Sequence, residues 1–307
     1  MPTKPLDQDT QLITATGTNT PLDLGTGKGR IAVDMDDVLC PYPLRACLWQ
    51  IDCTDALTVH NELFGTQPPL TLDDFQNYLY WMNRGWGNPE ETIAMVTKLY
   101  AEGLYMKAPP VEGAKEALKR LKDLGYSLVI ITARSEGQRE GTEEWITTYL
   151  PDIFDEIHFT GAFQDLEPTK KEHEGHAAKK AIVSHKKRSK AEIVYNTQSL
   201  FLIDDSAENA YDTAIATFPH PQPTKVLLFG KYPWNAIVHT PETTLPVEKM
   251  TFVAKQEQGL LEEAERVRRG KIEEGWLPEG VERVRDWGEV VRWVEGLERR
   301  GGGGGRE

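Results

Sequence analysis

The sequence predicts an α/β protein: a three-layer, Rossmann-like parallel sheet with a helical cap inserted between its first and second strands. Short continuous apolar runs alternate with helical patterns along most of the chain, and such runs are typical of strands buried on both faces of a parallel sheet. The interval 41–108 interrupts this alternation with a mostly helical pattern. The length of 307 residues is sufficient for such a domain and a sizeable core.

Five apolar runs are predicted to form the strands. They are residues 31–33, 128–131, 157–159, 200–203 and 226–229. The helix before the second strand has Val111, Ala114, Leu118 and Leu121 on one face and ends at Gly125. An amphipathic helix that contains Trp287, Val290 and Val294 is expected to pack on the core at the C-terminal end.

The same patterns divide the chain into segments. Residues 1–29 are predicted to be a flexible arm, residues 30–40 and 109–300 the core, residues 41–108 the cap, and residues 301–307 a flexible glycine-rich tail. The core contains a highly charged helical insertion at about 248–275. Within the cap, Asn88-Pro89-Glu90-Glu91 has the residues of a helix start: an N-cap, a first-turn proline and two acidic residues.

Charge and composition exclude several classes of partner. The formal net charge is −13, so the field of the protein repels phosphate backbones, and we expect no nucleic acid polymer as a partner. No apolar run reaches about 18 residues, so no membrane partner is expected either. The three cysteines, Cys40, Cys47 and Cys53, lack metal-binding spacing, and reduced thiols without a secretory signal indicate a cytoplasmic location. The oligomeric state is left open.

Polar residues follow three of the predicted strands at the point where each strand ends. They are Asp34 and Asp36 after the first strand, Thr132, Ala133 and Arg134 after the second, and Asp204 and Asp205 after the fourth. A basic stretch with Lys186, Lys187 and Lys190 precedes the helix that leads into the fourth strand. Ligands of open parallel sheets bind at the carboxyl ends of the strands, so these residues are the candidate site.

The chemistry of this set points to a phosphorylated ligand and a metal ion. Converging carboxylates repel one another, and Mg²⁺ removes that conflict because it accepts carboxylates, waters and a substrate phosphate as ligands. The Thr132 hydroxyl, the Ala133 amide and a lysine ammonium can hold phosphate oxygens; Lys190 is preferred because it opens the helix. Arg134 is either a further phosphate or substrate contact or a surface ion pair.

Two carboxylates have separate candidate roles in catalysis. Asp34 is the candidate nucleophile, since a carboxylate can attack phosphorus and form an aspartyl phosphate. Asp36 lies two residues further on, from where it can protonate the leaving oxygen and later deprotonate a water.

The ordered motifs resemble those of the haloacid dehalogenase (HAD) superfamily of aspartyl phosphatases. They are Ile31-Ala32-Val33-Asp34-Met35-Asp36, Thr132 after an apolar strand, a lysine, and Asp204-Asp205 after an apolar strand. The resemblance implies a HAD fold with Asp34 as nucleophile and metal ligand, and Asp36 as acid/base that binds the metal through its carbonyl. It also implies Thr132 and Lys190 for phosphate, and Asp204 and Asp205 for Mg²⁺.

A finer resemblance concerns the cap and the first motif. The cap and the stretch Asp34-Met35-Asp36-Asp37-Val38-Leu39 are similar to the 5′(3′)-deoxyribonucleotidases, as is Arg285-Asp286-Trp287. Asp37 stands where a glycine is usual, and aspartate can adopt positive φ in a turn. Thr132-Ala133-Arg134 instead resembles the polynucleotide-kinase type phosphatases.

These observations predict a Mg²⁺-dependent phosphomonoesterase that acts on a small phosphorylated metabolite, with a nucleoside monophosphate as one candidate. Aromatic residues of the cap, Phe75, Trp81 and Trp86, could stack on a flat substrate or form the cap's own core. The alternatives are a phosphotransferase or phosphomutase, a polynucleotide-end phosphatase with the same site, and a catalytically inactive interaction protein of the same fold.

Overall fold

The computed structural model describes residues 27–41, 54–101, 108–161, 189–218 and 224–301. The strands are β1 (Gly29–Val33), β2 (Tyr126–Thr132), β3 (Glu156–Phe159), β4 (Ser199–Asp204), β5 (Lys225–Phe229) and β6 (Val281–Val284). The helices are α1 (Thr54–Phe64), α2 (Pro89–Ala101), α3 (Ala114–Asp123), α4 (Arg139–Tyr149), α5 (Lys190–Asn196), α6 (Ala207–Ile215), α7 (Phe252–Glu257), α8 (Leu261–Glu274) and α9 (Trp287–Gly301).

All six strands form one parallel sheet in the order β3-β2-β1-β4-β5-β6. This order reverses direction between β1 and β4, where Val33 pairs with Ile203. A crevice forms where the connections of two neighbouring strands leave to opposite sides of a sheet, and ligands bind there. The predicted α/β, Rossmann-like fold class is therefore confirmed, and its switch point lies between the strands that carry Asp34 and Asp204.

Alternate residues of the strands face two separate apolar layers. Ile31, Val33 and their counterparts on the neighbouring strands pack with α3, α4, α9 and the cap. Ala32 and Leu202 are in the opposite layer, which is covered by α5 and α6. Both layers are needed because a central parallel strand exposes apolar side chains on each face.

The cap lies between β1 and β2, as the sequence predicts. Helix α2 begins at Pro89, and the Asn88 side chain accepts a hydrogen bond from the Glu91 amide at 2.9 Å, so the predicted helix start is confirmed. Leu70, Phe75 and Trp86 of the cap belong to the same apolar cluster as the sheet residues. The cap is thereby packed directly on the core.

Some elements differ from the prediction. Strand β6 was missed because its sequence, Val281-Glu282-Arg283-Val284, has charged residues between its two buried valines. The charged stretch at about 248–275 contains two helices, and α8 buries no residue completely, in agreement with a solvated segment.

Several predictions concern residues that lie outside the described ones: residues 1–26, residues 162–188 with Lys186 and Lys187, Cys47 and Cys53, and residues 302–307. Cys40 is buried, and burial raises the pKa of its thiol to about 12. Within the described residues, the helices are too short or too polar to cross a membrane.

Candidate active site

The first acidic motif is held at the switch point by the sheet itself. The Asp34 amide donates a hydrogen bond to the carbonyl of Ile203 at 2.8 Å, which fixes the residue after β1 against β4. The chain then turns at Asp37, whose φ of 60° confirms that this position requires a left-handed conformation. The Asp37 amide donates to the carbonyl of Cys40 at 2.8 Å and closes the turn. As a result, Asp34 and Asp36 both lie at the carboxyl edge of the sheet.

Lys190 contacts the two central carboxylates. Ser189 is the N-cap of α5, and its hydroxyl accepts a hydrogen bond from the Glu192 amide at 3.1 Å. Lys190 is the first residue of this helix and is only 6% exposed. Its ammonium lies 2.7 Å from Asp34 Oδ1 and 2.7 Å from Asp204 Oδ2. The first acidic motif, the lysine and the second acidic motif thus meet at one point in space.

The second acidic motif ends β4 and precedes α6. Asp204 Oδ1 accepts hydrogen bonds from the Ser206 amide at 2.9 Å and from Asn209 Nδ2 at 3.2 Å. Asp205 Oδ2 accepts one from Trp234 Nε1 at 2.7 Å. Asn209 therefore orients a carboxylate of the site.

Trp234 is a site residue that sequence reasoning missed. It lies in the turn after β5, next to Asn235, whose Nδ2 donates to the carbonyls of Asp205 at 2.9 Å and Phe229 at 2.8 Å. The sequence does contain a signal for Trp234, because Pro233-Trp234-Asn235 follows a predicted strand at the ligand-binding edge of the sheet.

The carboxylates of Asp34, Asp204 and Asp205 form a buried cluster. One oxygen from each lies within 4.8 Å of the others. Burial raises the pKa of Asp34 to about 8; the Lys190 ammonium opposes this shift, and the nearby Asp204 and Asp36 carboxylates add to it. When all three carboxylates are ionised, one ammonium leaves two negative charges uncompensated, and a divalent cation would offset both. The residues present therefore fit a divalent cation with oxygen ligands.

Arg134 is engaged with the acid/base candidate. Its guanidinium donates to both oxygens of Asp36, at 3.1 Å and 2.6 Å, and to the Thr142 hydroxyl at 2.9 Å. Arg134 is 5% exposed and Asp36 is half-buried, so this is a partly buried ion pair between the loops after β1 and β2. Thr132 is buried at the end of β2, where its hydroxyl accepts a hydrogen bond from the Arg134 amide at 3.2 Å. Contacts of Thr132, Ala133 and Arg134 with phosphate stay predictions.

The aromatic residues of the cap occupy different environments. Phe75 and Trp86 are fully buried, and Trp86 stacks on Tyr80 with ring centroids 4.6 Å apart. These two side chains contribute to the interior of the cap in this structure. Trp81 is half-buried and lines a cavity between the cap and the core. Of the three aromatic residues that the sequence suggests for substrate stacking, Trp81 is the one that borders a cavity a ligand could enter.

No protein-family model matches this chain, and no curated protein does. Solved structures with a similar fold include a HAD family hydrolase from Deinococcus radiodurans R1 with bound phosphate and sodium, at 14% identity and a TM-score of 0.45, covering 89% of this chain and 96% of that chain. A haloacid dehalogenase-like family hydrolase from Xanthomonas campestris has 11% identity and a TM-score of 0.41, with 91% and 99% covered. L-2-haloacid dehalogenase from Xanthobacter autotrophicus has 10% identity and a TM-score of 0.39, with 87% and 98% covered.

The names of these proteins coincide with the superfamily that the motifs resemble. With TM-scores below 0.5, the similarity itself carries no argument about activity or substrate. The architecture of this chain is the one predicted for a HAD fold: a parallel, Rossmann-like sheet with a cap between its first two strands and acidic residues at the switch point. The resemblance to the 5′(3′)-deoxyribonucleotidases stays a prediction.

Proposed function

We propose that this protein is a Mg²⁺-dependent phosphomonoesterase of the HAD type that acts on a small phosphorylated metabolite through an aspartyl phosphate. The observation that carries the proposal is the meeting of Asp34, Asp204, Asp205 and Lys190 at the switch point of the sheet. A nucleophile, a set of metal ligands and a cation for phosphate are the components that monoester hydrolysis requires.

The chemistry follows from the positions of Asp34 and Asp36. An Asp34 oxygen attacks phosphorus while the bond to the leaving oxygen breaks, and Asp36 gives that oxygen a proton. Water then attacks the aspartyl phosphate, Asp36 accepts a proton from the water, and phosphate leaves with Asp34 restored. Arg134 contacts both oxygens of Asp36 in this structure, so one of these two hydrogen bonds must open before that oxygen can carry the proton, while the other keeps Asp36 in position.

The acidic cluster would hold the metal through Asp34, Asp204, Asp205 and the carbonyl of Asp36. Bound Mg²⁺ supplies charge neutralisation for the phosphoryl oxygens. Lys190 contributes a further positive charge beside Asp34, and Asn209 and Trp234 keep the Asp204 and Asp205 carboxylates in orientation.

Metal removal provides the first test. Hydrolysis of p-nitrophenyl phosphate by the wild-type protein is expected to fall at least about tenfold on chelation with EDTA. Activity should return with Mg²⁺ but not with Ca²⁺, because Ca²⁺ takes more oxygen ligands in looser geometry. Phosphatase activity that persists in a sample shown by elemental analysis to be metal-free would contradict the metal requirement. An absence of hydrolysis for p-nitrophenyl phosphate, nucleoside monophosphates and sugar phosphates would favour the inactive interaction protein.

Trp81 provides a test of the flat-substrate hypothesis. Stacking of a base on an aromatic ring is worth ~1–3 kcal/mol, so Trp81→Ala is expected to raise KM for a nucleoside monophosphate by roughly 5- to 150-fold. The increase for glycerol phosphate should be smaller, since that substrate has no ring. Trp276→Ala is a matched control because Trp276 is 45% exposed and lies outside the cavity. Equal increases for both substrates, with a lower Tm, would show that Trp81 supports the cap.

A further inference from the structure

A cavity lies between the cap and the charged insertion. It has a volume of about 570 Å³, within the usual range of small-molecule sites. Its walls include cap residues 76–79, 81 and 82, helices α7 and α8 of the insertion, and Trp234 of the core. Because Trp234 also donates a hydrogen bond to Asp205, one wall of this cavity adjoins the acidic cluster.

Lys255 lines this cavity and brings a positive charge to it. The residue is in α7 and is 6% exposed. Among the residues that the structure describes, none gives its ammonium a hydrogen bond or an ion pair. Burial removes part of the water around this ammonium, and an anion that enters the cavity would replace that lost solvation.

The acidic residues around Lys255 are largely engaged elsewhere. Glu248 lies 2.6 Å from the Lys271 ammonium and accepts a hydrogen bond from the Leu245 amide at 2.7 Å. Glu265 lies 3.9 Å from Arg269. The Glu248 charge raises the pKa of Lys255, but burial has the larger, opposite effect. Glu208, Lys249 and Arg268 also line the cavity, so its walls carry charges of both signs. Lys249 is exposed and Arg268 donates to the Pro233 carbonyl, whereas the Lys255 ammonium makes no such contact within the described part of the chain.

We propose that this cavity binds the leaving group of the substrate and that Lys255 pairs with a second anionic group on it, a carboxylate or a further phosphate. The inference rests on the proposed function, since the phosphoryl group itself is assigned to the strand-end site. Trp81 and Trp234 border the same space and provide apolar contact for the part of the leaving group between its two anionic ends. The substrate class is therefore a small phosphate ester with a second negative charge.

The test compares phenyl phosphate with 4-carboxyphenyl phosphate, which differ only by the carboxylate. The wild-type protein should prefer 4-carboxyphenyl phosphate in kcat/KM, and Lys255→Gln should reduce this preference at least about tenfold. Lys119→Gln is the matched control, because Lys119 is an exposed lysine of α3 outside the cavity, and it should keep the preference. Hydroquinone bisphosphate, as a third substrate, shows whether the protein prefers a phosphate or a carboxylate as the second anionic group.

A binding measurement separates this inference from the proposed function. Calorimetric titration with 4-hydroxybenzoate, which has no phosphate, should show binding that Lys255→Gln weakens by a similar factor. If no phosphate ester is hydrolysed but this binding is seen, the phosphatase proposal fails and the anion site stands. Equal kcat/KM values for the three esters in the wild-type protein, or a preference that Lys255→Gln leaves unchanged, would overturn the anion site alone.

Discussion

Asp34→Asn is expected to abolish turnover while the fold remains intact. An amide is a poor nucleophile and a weaker ligand for a divalent cation than a carboxylate, so the variant loses both functions assigned to Asp34. By analogy with other nucleophile knockouts, kcat should fall at least about a thousandfold. The measurement is phosphate release from p-nitrophenyl phosphate at saturating Mg²⁺, with circular dichroism to establish that the variant is folded.

The control for this variant is Asp123→Asn, the same chemical change at an exposed residue that ends α3. Its turnover should equal that of the wild-type protein, whereas a contaminating phosphatase would give the same activity in the Asp34→Asn preparation as well. A folded Asp34→Asn variant that keeps a tenth of the wild-type kcat would remove Asp34 from the role of nucleophile.

Most of the core and part of the site could be predicted because their signals are local. Continuous apolar runs indicate central strands. Because parallel strands all end at the same edge of the sheet, the residue after each run lies at the ligand-binding edge. The position of Lys190 was readable in the same way, since Ser189 is a recognisable N-cap and the next residue opens the helix. Strand β6 gave no such signal, because an edge strand tolerates charged residues such as Glu282 and Arg283.

The remaining features depend on contacts between distant parts of the chain. Asp36 and Arg134 are 98 residues apart in sequence, and only the packing of β1 beside β2 makes them partners. The burial of Phe75 and Trp86 likewise depends on how the cap packs on the sheet. Residue type shows that an aromatic side chain could stack on a ligand, but the tertiary structure decides whether a cavity reaches it. Trp81 borders such a cavity because the charged insertion forms the opposite wall.

Lys190→Met is expected to destabilise the protein as well as inactivate it. The Lys190 ammonium lies between the carboxylates of Asp34 and Asp204, whose side chains are 4% and 0% exposed. Breaking a buried ion pair by removal of one partner costs about 3–5 kcal/mol in the free energy of unfolding. Loss of a positive donor beside the phosphoryl group should lower kcat by roughly a hundredfold.

Chemical denaturation in EDTA and in Mg²⁺ tests this prediction, with Lys119→Met as the exposed control. With all three carboxylates ionised, the acidic cluster has three uncompensated charges without Lys190 and two with it, so Mg²⁺, which binds the ionised form, should stabilise the variant more than the wild-type protein. The double variant Lys190→Met/Asp204→Asn removes one of those charges and should lose less stability than the sum of its single variants. If Lys190→Met lowers the free energy of unfolding in EDTA by less than about 1 kcal/mol, or if the two losses simply add, Lys190 is not what compensates the buried carboxylates.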